Sequence, residues 1–283
     1  MKNFRYVFII LSLIFLVNCG QKTSSKGHLF IVGGGHRPQY MVEQIVELAG
    51  GKNARVMIIP NASGIPREVA QYQQKQFQNT RAASANYILF DSSEANSPDI
   101  LKKIDDINCI FFSGGDQRRL ARDLNNSKLL EKIREIYQHG GVISGTSAGA
   151  AVMSKIMITG DELIDTTDEQ KFNNIKKDYI KTTPGFGFLK KAIIDQHFVK
   201  RKRFNRLLSL VIEQRTIGIG IDESTAIHIN PANKCKVIGE NTVLFINGTD
   251  IRNVQADEKG NLSAENIKLD ILQSGQIYDL KVN

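Results

Sequence analysis

Cysteine, histidine and the largest aromatic side chain are scarce in this chain of 283 residues, which has three cysteines, five histidines and no tryptophan. Cys109 stands in an apolar run and Cys235 in a polar loop, so the two supply neither a disulfide framework nor the spacing of a metal site. An apolar run long enough to cross a bilayer is also missing, since the one at residues 6–17 falls short of a comfortable span. No internal repeat is visible. Gly33-Gly34-Gly35 lacks the spacing of a phosphate-binding loop and reads as turn geometry. With 41% hydrophobic residues the chain can nevertheless bury a full core, so it is neither disordered nor fibrous.

The net charge of +8 invites a nucleic-acid reading until its location is considered. Between residues 171 and 206 stand eleven Lys and Arg against two acids, Asp178 and Asp195, which puts +9 in that window and leaves the rest about neutral. Such a local field suits an acidic ligand at one site better than a long phosphate track. Phe172, Phe198 and Phe204 lie within the window but do not interleave with the charges as base-stacking aromatics would. Nucleic acid is therefore not the expected partner.

The amino terminus has its own logic. Lys2 and Arg5 precede the apolar stretch 6–17, the layout of a signal peptide over residues 1–19. The end of that stretch, Leu16-Val17-Asn18-Cys19, resembles a bacterial lipoprotein processing site in which Cys19 takes the lipid. Asn18 departs from the usual small residue there, which keeps plain secretion as the alternative. Residues 20–27 read as a polar tether and 28–283 as one catalytic-sized domain. The expectation is an exported protein, either anchored in the membrane through its lipid or secreted.

From His28 onward, short runs rich in Ile, Val and Phe alternate with helical patterns, as in a mostly parallel sheet covered on both faces. The strand candidates are LFIVGG, ARVMIIP, NYILF, CIFFSGG and GVISGTS, followed later by AIIDQHF and TIGIGIDESTAIHI. MVEQIVELAG, LLEKIREIYQHGG and RFNRLLSLVIE carry helical spacing, and in the second of these Leu129, Leu130, Ile133, Ile136 and Tyr137 form the apolar stripe. Residues 160–183 loosen into polar and basic sequence that reads as an inserted loop or lid. KVIGENTVLFING and IKLDILQSGQIYDL read as antiparallel hairpins, with turns at Asn247-Gly248 and Ser274-Gly275.

One stretch, GGVISGTSAGAAVMS at residues 140–154, places Ser147 in a bare turn between a buried strand and a small-residue helix start. Gly145-Thr146-Ser147-Ala148-Gly149 fits the G-x-S-x-G elbow, in which glycines two before and two after let strand and helix close tightly and push the hydroxyl outward. An ordinary glycine-rich turn is the plainer alternative. A serine hydroxyl needs a neighbouring base that is itself oriented by a third group. Of the five histidines, His197 and His228 lie in or at the end of strands, and spacing does not choose between them.

Three segments taken in order with GIGIDESTA at residues 218–226 are more specific than any one alone: SGGDQ-x-RL at 113–120, GTSAGAAVMS at 145–154, and DQHF-x-x-R-x-R-x-x-RL at 195–207. Together they resemble the cyanophycinases and related aspartyl dipeptidases, a family of serine peptidases, over nearly the whole chain after the tether. The resemblance implies Ser147 as nucleophile, His197 as general base and Glu223 as the acid that holds the imidazole tautomer. Asp222 is adjacent, but neighbouring side chains point apart, so one of the two serves. The order Ser, His, Glu differs from that of α/β-hydrolases and implies an α/β fold with a three-layer αβα sandwich, flavodoxin-like in the manner of class I glutamine amidotransferases.

By the same resemblance the Gly115 and Ala148 N–H groups form an oxyanion hole. Gln117, Asp195, Gln196, Arg201, Arg203 and Arg206 shape a pocket for the aspartate part of a β-aspartyl-arginine unit. Asp195 has two readings, orienting an arginine or meeting the cationic end of the substrate, and both stand at this point. Lys200 and Lys202 fall on the solvated face. No metal or organic cofactor is required. The implied function is a serine-type exopeptidase acting on β-aspartyl-arginine linkages of a cyanophycin-like polymer. An α-aspartyl dipeptidase on the same machinery and a non-catalytic lipoprotein binding acidic peptides are the alternatives, and a homodimer is the family analogy.

Overall fold

In the first strand, β1 (His28–Val32), Leu29 and Ile31 enter one apolar cluster while Phe30 and Val32 enter another. Successive side chains of a strand face opposite ways, so an unbroken apolar run demands cover on both sides. The same division holds in β2 (Arg55–Ile59), β4 (Cys109–Phe112) and β5 (Val142–Thr146), with β3 (Ser84–Tyr87) at the edge. A computed structural model describes residues 27–162 and 173–280 of the chain. The expected signal segment, Cys19 and all of the tether but Gly27 lie outside the described residues.

Two helices, α1 (Gln39–Leu48) and α2 (Pro66–Gln78), carry Met41, Val42, Ile45, Val46 and Phe77 onto the Phe30 face. The opposite face receives α3 (Pro98–Lys102), α4 (Gln117–Leu124), α5 (Lys128–Gln138) and α6 (Ala148–Ala151), which bring Ile100, Leu120, Leu129, Leu130, Ile133 and Ala150. Starts are fixed by side-chain caps: the Ser127 hydroxyl accepts from the Leu130 N–H of α5, and Asp116 accepts from the Arg118 N–H of α4.

The rest of the chain adds β6 (Ile156–Glu162), β7 (Ile180–Pro184), β8 (Ala192–Gln196), α7 (Phe204–Gln214), β9 (Ile217–Ile221), β10 (Thr225–Ile229) and β11 (Lys234–Gly239). It closes with β12 (Val243–Asn247), β13 (Arg252–Ala256), β14 (Leu262–Glu265), β15 (Lys268–Leu272) and β16 (Ile277–Asp279). The large sheet has the order β16-β11-β10-β1-β5-β4-β2-β3. Its members β1, β5, β4, β2 and β3 run parallel, and β10, β11 and β16 join antiparallel. A second sheet, β15-β12-β9-β8, pairs β8 with β9 in parallel. The architecture is mixed α/β around a large central sheet.

Three expectations need correction. The two C-terminal hairpins do not form as local pairs: β11 pairs with β10 and β16, while β12 pairs with β9 and β15, so each predicted hairpin splits between the two sheets. Local pattern identifies a strand but not its partner, and Gly239, at φ 130°, turns the chain from one sheet toward the other. The stretch at 160–183 is not all loop, because its ends lie in β6 and β7, which pair with each other. Its middle, 163–172, lies outside the described residues. Finally, α2 is a helix that apolar spacing does not reveal, since PREVAQYQQKQFQ buries only Ala70, Gln73 and Phe77.

Candidate active site

Five loops meet where strands of parallel pairs end. They follow β1, β4, β5, β8 and β9 and carry Gly34, Gly115, Ser147, His197 and Glu223 in turn. Carboxyl ends of parallel strands form the open crevice of an α/β sheet, because the helices that follow run back along the faces.

Ser147 stands between β5 and α6 with φ 52° and ψ −108°, a conformation that costs a non-glycine residue roughly 1–3 kcal/mol. The surroundings hold it there. Its N–H donates to the Val32 carbonyl at 3.0 Å, and its carbonyl accepts from the Ala150 and Ala151 N–H groups. Strand and helix come so close that a β-carbon on Gly145 would lie 2.5 Å from the Gly149 carbonyl oxygen, and one on Gly149 would lie 2.2 Å from that of Phe112. These two positions admit glycine alone.

His197 follows β8, again with positive φ, and its N–H donates to the Gly33 carbonyl at 2.8 Å. The ring lies on the bare backbone of Gly34, where a β-carbon would come within 2.4 Å of Cε1 and 2.5 Å of Nε2. Nε2 lies 2.8 Å from Ser147 Oγ, and Nδ1 lies 2.6 Å from Glu223 Oε1. Burial pushes the His197 pKa down from 6.5; the bond to Glu223 opposes this, and the charges of Arg201 and Arg203 add to it. The imidazole is therefore neutral at pH 7, with Nδ1–H donating to Glu223 and Nε2 accepting from the serine hydroxyl. The hydrogen bond from His197 holds the Glu223 carboxyl below its ordinary range.

Glu223 is fixed by its backbone. The next residue, Ser224, donates its N–H to the Gly34 carbonyl, and the Glu223 carbonyl accepts from the Thr225 hydroxyl and the Asn241 amide. Asp222 turns elsewhere and accepts from the Lys200 N–H at 3.0 Å, which ties down the turn after His197. The loop after β4 comes up from the other side: a β-carbon on Gly114 would sit 3.3 Å from that of Ser147. Among the described residues, neither the Gly115 nor the Ala148 N–H donates to a backbone carbonyl.

Most of the residues expected to hold substrate are used inside the protein. Arg206 and Asp195 are each 1% exposed and bond each other, with Arg206 Nε 2.6 Å from Asp195 Oδ2. Arg203 gives Nη1 to the Gln196 carbonyl and to Gln196 Oε1, and burial pulls its pKa down to about 10. Gln117 donates Nε2 to the carbonyls of Ile158 and Thr159, pinning β6 onto α4. Of the two readings of Asp195, the structure takes the first: it orients arginines. Asp195, Arg206 and Gln117 are correspondingly corrected from pocket residues to residues that fix the frame around it. Arg201 is the exposed member of the group. Lys200 and Lys202 are exposed as well, and His228 lies away from the serine, 2.9 Å from His28.

A cavity of about 340 Å³ opens beside Ser147 and His197. Its far wall is Arg37, Tyr72, Gln73 and Gln76, none of which the sequence reading singled out. Three of them ride on α2, the helix without an apolar stripe, and the only available signal was the run of glycines preceding Arg37. Among the described residues, no three His, Cys, Asp or Glu side chains gather as a metal site.

Comparison with known proteins gives a consistent answer. The family model described as peptidase family S51 matches residues 29–253. A cyanophycinase from Synechococcus elongatus is 28% identical over 272 residues, 93% of this chain and 82% of that protein. One from Geminocystis herdmanii is 30% identical over 269 residues, 91% of this chain and 95% of that protein. Among solved structures, a peptidase from an acI-B1 actinobacterium superposes with a TM-score of 0.67 at 22% identity, covering 91% of this chain and 98% of that one, which shows a shared fold.

Proposed function

The chain belongs to peptidase family S51 and is a serine peptidase, and from that premise we propose that it cleaves aspartyl peptides through Ser147, His197 and Glu223. The observation that carries the reading is the continuous line of hydrogen bonds from Ser147 Oγ through both ring nitrogens of His197 to Glu223, opening on a closed-in cavity. The fold reading that goes with it is the flavodoxin-like, three-layer arrangement of class I glutamine amidotransferases.

In the proposed reaction, Ser147 Oγ attacks the scissile carbonyl while its proton passes to His197 Nε2. Charge that develops on the carbonyl oxygen meets the Gly115 and Ala148 N–H groups. Removing one such donor costs about 3 kcal/mol of transition-state stabilisation in comparable sites. His197 then returns the proton to the leaving amine, an acyl-enzyme remains, and water resolves it by the same route in reverse. Glu223 keeps the imidazole in the tautomer that leaves Nε2 free to accept and stabilises the imidazolium that forms.

The substrate we infer is the β-aspartyl-arginine unit of a cyanophycin-like polymer, supported by curated relatives that carry the name cyanophycinase and by the positive field around His197. Purified protein incubated with β-aspartyl-arginine polymer and, separately, with α-aspartyl dipeptides tests it. Release of dipeptide from the polymer is the expected result, and cleavage of the α-aspartyl dipeptides alone assigns the other specificity. Ser147→Ala is expected to abolish turnover while keeping ligand binding; retained turnover would remove Ser147 from the mechanism.

A further inference from the structure

Arg37 is the one residue of the cavity wall whose charge has no answer within the protein. It is 7% exposed, and its guanidinium carbon lies 4.6 Å above the Phe111 ring. Nη2 is bonded to Gln76 Oε1, but the buried Nε has no hydrogen-bond partner. No ion pair among the described residues includes it. Burial pulls its pKa down to about 10, and the only opposing influence is the phenol of Tyr72. The contrast with Arg206 is direct: that guanidinium is equally hidden, yet a carboxylate lies against its Nε and Nη2 edge.

A buried cation without a counter-ion is costly, and the cost falls on the empty protein. It is removed when a ligand brings an anion into the cavity. The same edge of Arg37, Nε beside Nη2, suits the two oxygens of a carboxylate. At about 340 Å³ the cavity lies at the small end of ligand sites, with room for about one acidic residue. Ser147 and His197 line that same space, so a residue whose carbonyl is under attack would have its free carboxylate within this wall.

We propose that Arg37, steadied by Gln76 and Phe111, is a specificity-determining residue that receives the free carboxylate of the aspartyl residue being acylated onto Ser147. The inference rests on the peptidase reading above and assigns the charge selection to a residue outside the basic window at 171–206. Arg37 acts by binding, not by moving protons.

The test is the ratio of kcat/KM for two peptides that differ only in whether the residue giving the scissile carbonyl is aspartyl or asparaginyl. Arg37→Met is expected to reduce the aspartyl preference about thirtyfold or more, the effect of truncating one member of a desolvated charge pair. The same variant is expected to melt no lower than the wild type, because it relieves an unpaired buried charge. An unchanged ratio overturns the proposal, and a lowered melting temperature with an unchanged ratio assigns Arg37 to structure. Should the methionine variant not fold, Arg37→Gln carries the same ratio test with a neutral amide. Failure of the peptidase reading shows separately: wild-type Ser147 then takes no acyl group from a neutral activated ester, and the present inference falls with it. A reactive Ser147 with an unchanged ratio overturns this inference alone.

Discussion

At His197 two opposing influences act on one ring. Burial and the arginines disfavour its protonation, while Glu223 favours it. As general base the imidazole must be neutral, so kcat/KM is expected to fall only as pH drops through a value below 6.5. Glu223→Gln removes the partner that raises this value, so the acid limb of the pH profile should move lower while kcat drops. Arg201→Ala removes a charge that lowers it, so the limb should move up toward 6.5. A pH profile of each variant checks the signs, and limbs that move together or not at all would contradict the assignment of His197. Ser147 and His197 were legible because elbow and motif spacing mark them. Arg37 was not, because a lone arginine after three glycines has no pattern; its meaning lies in the partner it lacks.

Among the elements, the loop after β1 organises the site more than its sequence suggests. Carbonyls of Val32, Gly33 and Gly34 receive the N–H groups of Ser147, His197 and Ser224, so three loops far apart in sequence are indexed to one strand end. Gly34 has φ 113° and no room for a β-carbon beneath the imidazole. Gly34→Ala should displace the ring by a fraction of an ångström or more and lower kcat/KM about a hundredfold, with the assembly still folded. Steady-state kinetics with a melting curve checks this, and full activity would show that the ring does not depend on that seat. Sequence spacing identified this stretch as turn geometry, which is correct, but what a turn touches depends on strands that arrive 160 and more residues later.

The connection between β8 and α7 makes a second case. Asp195 on β8 and Arg206 on α7 are both buried and bonded, so the acid that seemed placed to meet substrate instead locks a helix to a strand. Asp195→Ala leaves a buried guanidinium without its carboxylate and should cost about 3–5 kcal/mol of stability, read by urea unfolding. Unchanged stability with a raised KM would return Asp195 to the pocket. Motif resemblance brought these residues to the right neighbourhood; only packing separates those that face the cavity from those that hold it up.

For the molecule as a whole, the parallel half was readable because a strand buried on both faces must be apolar throughout, and β1, β2, β4 and β5 are. The antiparallel half was readable as strands and not as a topology, since β11 and β12 carry the alternation of a hairpin and still part into different sheets. That parting serves the site. With β9 in the second sheet and β10 in the first, the chain crosses between sheets at Glu223, beside the imidazole it orients. The account stands on Ser147 being a hydroxyl activated by its surroundings, and a serine-directed acylating probe followed by peptide mapping measures that most directly. Label confined to Ser147, reduced when β-aspartyl-arginine polymer is present and lost in His197→Ala, is the predicted result; an unlabelled Ser147 in folded protein, or label spread over other serines, would contradict it.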